Sequence, residues 1–260
     1  MKKRLSLVVG VALVGALGAG AFVLGTGGPA SADSRAGGTV ASSGPSLSGW
    51  GLTLPVNSAG QPTGNNAEFL DPAQLDSPWL TRKPNGGLDF WAPAIGATTP
   101  HSTHARTELV DNSSFTLGQG PSQTLTETFA VLQQPTQSQN IIVGQLHGGG
   151  ASSASAYAML HYRAGEIYVY VAGESSEIDM MNNVPLGGTV AATITASGNN
   201  LTFTVTFKGQ TATKTVPNTP GFPGQTVRWQ AGDYQQDVVA GASQGDGGRV
   251  VIYKLQTSQG

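Results

Sequence analysis

Between residues 201 and 207 the chain reads Leu-Thr-Phe-Thr-Val-Thr-Phe, with apolar and hydroxyl side chains in strict alternation. A strand sends successive side chains to opposite faces, so this segment predicts a strand with one buried face and one wet face. Runs of similar character recur at 87–92, 105–110, 123–132, 140–147, 157–162, 166–171, 188–196, 210–216, 226–234 and 248–256, separated by Gly, Pro, Asn and Ser. Short strands at this spacing predict an all-β sandwich. Residues 49–55 read as a first strand that Pro55 ends. Asp71 and Pro72 predict one helical turn, Asp71 as its cap and Pro72 at its first position. No other helix and no repeat of fixed period is expected.

The N-terminus departs from this pattern. Lys2, Lys3 and Arg4 precede an apolar run over 5–24, and Ala30-Ser31-Ala32 supplies a small-residue processing site, so 1–32 read as a signal peptide cleaved before Asp33. The run is almost long enough to span a bilayer, but no basic stop-transfer flank follows it, so a secreted, extracellular protein without stable membrane association is expected. Residues 33–46 are Gly, Ser, Thr and Ala-rich with little to bury, which predicts a disordered leader. One β domain over 47–260 remains, long enough to bury a large core.

Losing Lys2, Lys3 and Arg4 takes 13 cations to 10 against 15 anions, so the mature chain is modestly acidic. A polyanionic partner must then be held by a local cationic site and not by a global field. No basic run or basic–aromatic patch points to nucleic acid. Export would permit disulfides, yet the chain has 0 cysteines, so its stability rests on the core.

Three segments place polar side chains inside strand-like runs. In Arg106-Thr107-Glu108-Leu109, Arg106 and Glu108 share one face and Leu109 takes the other. Gln145 and His147 share a face around Leu146, and Gln230, Tyr234 and Gln236 have equal parity within 229–236. These residues can line one polar surface. An isolated Arg-x-Glu is more often a surface ion pair; the coincidence of all three segments is the signal. His101 and His104 have a spacing of three that points them to opposite faces of an extended segment, which argues against zinc, and no metal or other cofactor is expected. His161 reads as an ordinary strand residue, and Tyr157, Tyr168 and Tyr170 as either packing or sugar-stacking side chains.

Arg-Thr-Glu-Leu, Gln-Leu-His and aromatic-x-Ala-Gly-x-Tyr-x-Gln, in that order, resemble the signature of polysaccharide lyase family 7, the alginate lyases. Residues 50–55 and the stretch from Phe90 to Thr99 extend the likeness over most of the mature chain. The resemblance implies a jelly-roll β-sandwich of two antiparallel sheets with a concave substrate groove. It also implies metal-free β-elimination on a β-1,4-linked polyuronate, alginate first, releasing 4,5-unsaturated oligosaccharides. A monomer is expected. Removing the C5 proton of a uronate builds charge on the carboxylate, which a cation and an amide donor can meet; Arg106 and Gln145 fit. A base must take the proton and an acid must protonate O4, and His147 and Tyr234 fit. By the same resemblance Tyr234 is the acid, and either His147 or Tyr234 is the base. Glu108 is the partner that holds Arg106, while Gln230, Gln236 and His104 are expected against the substrate.

Val110 and Gln230 stand where the family usually carries Arg and Lys, and Leu146 where it usually carries Ile or Val. Two missing cations make another polyuronate such as glucuronan the alternative substrate. A second alternative rests on Glu177 and Asp179, which resemble the active strand of family 16 glycoside hydrolases. Retaining hydrolysis needs a further carboxyl group, and Asn182 occupies its place. A non-catalytic carbohydrate-binding module is the third alternative.

Overall fold

The Thr-rich alternation is realised in full in a computed structural model. Leu201, Phe203, Val205 and Phe207 are buried, while Thr202, Thr204 and Thr206 pair through their hydroxyls with Thr215, Thr213 and Thr211 at 2.9, 3.2 and 2.9 Å. One face of this strand enters the core and the other builds a hydroxyl ladder in water. The structure describes residues 44–148, 156–238, 242–243 and 245–260. The expected signal peptide and the leader through residue 43 lie outside the described residues. Within that leader Pro45 is buried, and its carbonyl accepts from Arg82 Nη2 at 2.9 Å.

The strands are β1 (Trp50–Asn57), β2 (Ala67–Leu70), β3 (Leu80–Arg82), β4 (Leu88–Pro93), β5 (Thr107–Asp111), β6 (Phe115–Thr116), β7 (Gln123–Gln133) and β8 (Asn140–Gly148). They continue as β9 (Ala156–Arg163), β10 (Glu166–Val171), β11 (Ile178–Met181), β12 (Val190–Ser197), β13 (Asn200–Phe207), β14 (Gln210–Pro217), β15 (Thr226–Gln235) and β16 (Gly247–Gln259). They form a nine-stranded sheet, β11-β10-β9-β8-β15-β5-β1-β2 with β6 beside β15, and a seven-stranded sheet, β14-β13-β12-β7-β16-β4-β3. Neighbours far apart in sequence, such as β8 beside β15 and β7 beside β16, are the crossovers of a jelly roll. Leu52, Leu109, Leu146 and Trp229 of the larger sheet belong to one core with Phe90, Phe129, Ile194 and Ile252 of the smaller. Each such side chain contributes about 1.5–3 kcal/mol on burial.

Two local expectations fail for identifiable reasons. No helical turn forms at Asp71, because its carboxylate accepts from Asn112 Nδ2 at 2.8 Å and the Ala73 N–H is taken by the Trp50 carbonyl at 2.7 Å. Tertiary partners outcompete the local cap. Pro55 does not end β1, because it falls where the pairing with β2 is interrupted between Thr53 and Asn57. No ladder donor is lost there.

Gly232 fixes how the site's strands meet. Its φ is +153°, and a Cβ there would lie 2.6 Å from the Thr107 carbonyl oxygen and 2.9 Å from Glu108 Cα. Only glycine lets β15 approach β5 this closely between Gln230 and Tyr234. The β8–β15 register shifts just here, between Ala231 and Tyr234, and Asp233 points into the core to accept the Ala92 N–H at 3.1 Å.

Candidate active site

Cross-strand register assembles the polar residues into parallel rows on the nine-stranded sheet. One row runs Val110–Gln230–Gln145–Met159–Tyr170. A second runs Tyr234–Ile142–His161–Tyr168, and a third places Arg228 beside His147. Residues from all three rows line a groove of about 660 Å³, together with Arg106, Gln236, His101, Thr53 and Phe69. That volume suits a short stretch of chain. The half-exposed Phe69 ring lies on Gly51, where a Cβ would collide with it.

Glu108, fully buried, is the hub. Its Oε2 accepts from Arg106 Nη1 at 3.0 Å and its Oε1 from Gln145 Nε2 at 2.6 Å. Gln145 Nε2 also donates to Gln230 Oε1 at 2.9 Å, so both of its N–H groups are engaged, and its Oε1 is buried without a partner among the described residues. The Gln230 amide nitrogen has no hydrogen-bond partner among the described residues. The two glutamines thus form a relay in which Gln145 is held by Glu108 and Gln230 carries the uncommitted donor.

His147 Nδ1 lies 3.0 Å from the Gly148 carbonyl, which can only accept, so Nδ1 carries the proton and Nε2, with no hydrogen-bond partner among the described residues, presents a lone pair. Burial lowers the imidazole pKa below the ordinary histidine value, and the positive charges of Arg106 and Arg228 act in the same direction; the Gly148 hydrogen bond and Glu108 oppose them. A neutral ring with a bare Nε2 is the form a general base needs.

The Tyr234 ring lies under the Arg106 guanidinium, 3.5 Å from its carbon, and meets His104 edge-on at 6.2 Å. Its hydroxyl is 2.9 Å from Ser102 Oγ. Ser102 Oγ donates to the His104 carbonyl at 2.9 Å and accepts the His104 N–H at 3.0 Å, which makes Tyr234 the donor in their shared bond. The phenolic proton therefore points to Ser102 Oγ.

The remaining expected residues sort clearly. Gln236 lines the groove, its Nε2 donating to the Tyr234 carbonyl at 3.0 Å. His104 stands outside the groove lining, behind Tyr234, with Nδ1 held by the Asp237 carbonyl at 3.1 Å. Among the described residues no three His, Cys, Asp or Glu side chains converge as metal ligands. Tyr157 is a core residue stacked on Phe222 at 4.1 Å, and Tyr168 is buried; Tyr170 alone of the three is exposed. His161 is more than an ordinary strand residue: it lines the groove, stacks on Tyr168 at 4.5 Å, and burial pushes its pKa down to about 3. Glu177 does not line the groove, and Arg163 holds both its oxygens at 2.9 and 2.8 Å. The hydrolase alternative therefore has its nucleophile committed elsewhere.

Arg228, Ser102, Met159 and Phe69 were not singled out from sequence. Arg228 shares parity with Gln230 and was open to the same argument; Ser102, Met159 and Phe69 reach the site only through pairing and loop contacts.

Residues 46–259 match the family model described as alginate lyase. An alginate lyase of Klebsiella pneumoniae is 25% identical over 276 residues, which cover 82% of this chain and 89% of the relative. The crystal structure of the alginate lyase from Klebsiella pneumoniae superposes with a TM-score of 0.73 at 23% identity, covering 85% of this chain and 98% of that one. The 1.0 Å crystal structure of alginate lyase A1-II', a member of polysaccharide lyase family 7, gives 0.66 at 23% identity, covering 82% and 95%.

Proposed function

The chain belongs to the alginate lyase family and is a polysaccharide lyase, and from that premise we propose a secreted enzyme that cuts β-1,4-linked uronates by β-elimination without a metal, using Arg106, Gln145, His147 and Tyr234. The observation that carries this reading is that one groove holds a neutral His147, whose Nε2 has no hydrogen-bond partner among the described residues, and the Tyr234 hydroxyl, whose proton rests on Ser102 until a substrate oxygen takes its place.

In the proposed reaction His147 Nε2 takes the C5 proton of the sugar. The charge left behind spreads into the carboxylate, where Arg106 and the Gln145–Gln230 amide relay meet it. The C4–O4 bond then breaks as the C4–C5 double bond forms, and Tyr234 gives its proton to O4. Glu108 keeps Arg106 and Gln145 at their stations. A cation and an amide donor already stand where the charge develops, which is the ground for a metal-free elimination. The segment resembling a signal peptide supports action outside the cell.

The test is incubation with alginate, polymannuronate, polyguluronate and glucuronan while the ultraviolet absorbance of the unsaturated uronate is followed. The chromophore is expected with alginate. Its absence on every uronan defeats the proposal, and growth on glucuronan alone moves the substrate.

A further inference from the structure

The uncharged row Val110–Gln230–Gln145–Met159 leaves the groove short of positive charge. Arg106, held by Glu108 and over the Tyr234 ring, serves the reacting carboxylate. Arg228 is the other arginine that lines the groove. It sits on β15 on the same face as Gln230, about 6.8 Å further along the strand, directly across from His147 on β8. Among the described residues its buried Nε has no partner and its guanidinium makes no ion pair. A half-buried guanidinium gives up hydration, and a carboxylate seated against it would restore the lost interactions.

Resting on the lyase reading above, we infer that Arg228 is a substrate-binding residue that holds the carboxylate of a uronate next to the one being cleaved, on the His147 side of the groove. The cation missing at Gln230 is thereby supplied one step along the same strand. The site takes consecutive uronates, and a neutral neighbouring sugar leaves Arg228 unpaired at a cost in affinity. Arg106 keeps the reacting carboxylate, so the two arginines address two adjacent sugars.

The test compares wild type, R228Q and R228K on alginate, with thermal unfolding as a control for folding. R228Q is expected to raise KM about tenfold, equivalent to about 1.4 kcal/mol, while kcat changes little. Added salt is expected to raise the wild-type KM more steeply than that of R228Q, because the contact is ionic and partly exposed. R228K, which keeps the charge, is expected to recover most of the loss. A folded R228Q with wild-type KM, or one that loses kcat with KM unchanged, overturns the inference. Should R228Q not fold, R228K decides: a KM near wild type supports the subsite, and a tenfold rise removes it. A wild-type protein that forms no unsaturated product on any uronan defeats the lyase reading itself, whereas an active wild type with an indifferent Arg228 defeats this inference alone.

Discussion

The guanidinium carbon of Arg106 lies over the ring of Tyr234, 3.5 Å from its centroid, so the cation for the reacting carboxylate and the acid for the leaving oxygen are one contacting unit. Tyr234→Phe keeps the ring and its contact with Arg106 and removes only the hydroxyl. We expect kcat to fall about 10²–10⁴-fold, the range of a lost general acid, with KM and thermal stability close to wild type. Tyr234→Ala should also raise KM, because Arg106 loses its support. Steady-state kinetics on alginate separates the two variants, and a Phe variant with wild-type turnover removes Tyr234 from the proton path.

The pH dependence of kcat/KM reports on His147. The base must be unprotonated, so activity is lost as pH falls through its pKa. Burial, Arg106 and Arg228 hold that pKa below the ordinary value of 6.5, so the acid limb should lie below pH 6.5. His147→Asn should abolish that limb along with most of the turnover. An acid limb at or above 6.5 in wild type would assign it to another group.

Strand alternation made most of this fold legible, because a half-buried strand writes its two faces into every second residue. The exceptions are β2, β3 and β6, at 4, 3 and 2 residues too short to show a period, and β11, whose 4 residues were read as a rival catalytic motif. The core of the site was legible for the same reason: Arg106 with Glu108 and Gln145 with His147 are parity pairs within single strands. Arg228 against His147 is different, since their proximity depends on β15 pairing with β8 in one register. Ser102 beside Tyr234 depends on a loop, which carries no period at all. The commitment of Gln145's amide to Glu108 and Gln230 is likewise a property of side-chain geometry, not of spacing.

Glu108 tests whether the network is structural as well as functional. Its carboxylate is fully buried and serves both Arg106 and Gln145. Glu108→Ala leaves a largely buried guanidinium and an amide N–H without partners, and we expect a loss of about 3 kcal/mol in unfolding free energy. Glu108→Gln keeps a carbonyl acceptor for Gln145 and should cost less stability, yet kcat should still fall because Arg106 loses its anchor. Denaturant unfolding beside kinetics distinguishes these effects. Equal stability of Glu108→Ala and wild type would mean the ion pair is replaceable by water.

Glu127 makes a prediction about the scaffold behind the site. It points from β7 between the sheets, its carboxyl against Gly144 of β8, and neither oxygen has a partner among the described residues. Burial pushes its pKa from 4.5 up to about 8. Between those values the folded chain keeps a proton that the unfolded chain has released, so wild-type stability falls as pH rises through the window and levels off above it. The slope is at most about 1.4 kcal/mol per pH unit. Glu127→Gln has no such proton, so its advantage over wild type should grow steadily from pH 5 to pH 8 and then stay constant. Asp233 is also buried with its pKa raised well above the ordinary value, but it is present in both proteins and cancels in the difference. Thermal midpoints of the two proteins across that range read the effect directly. A difference that does not change with pH would show that Glu127 is not protonated in the folded core.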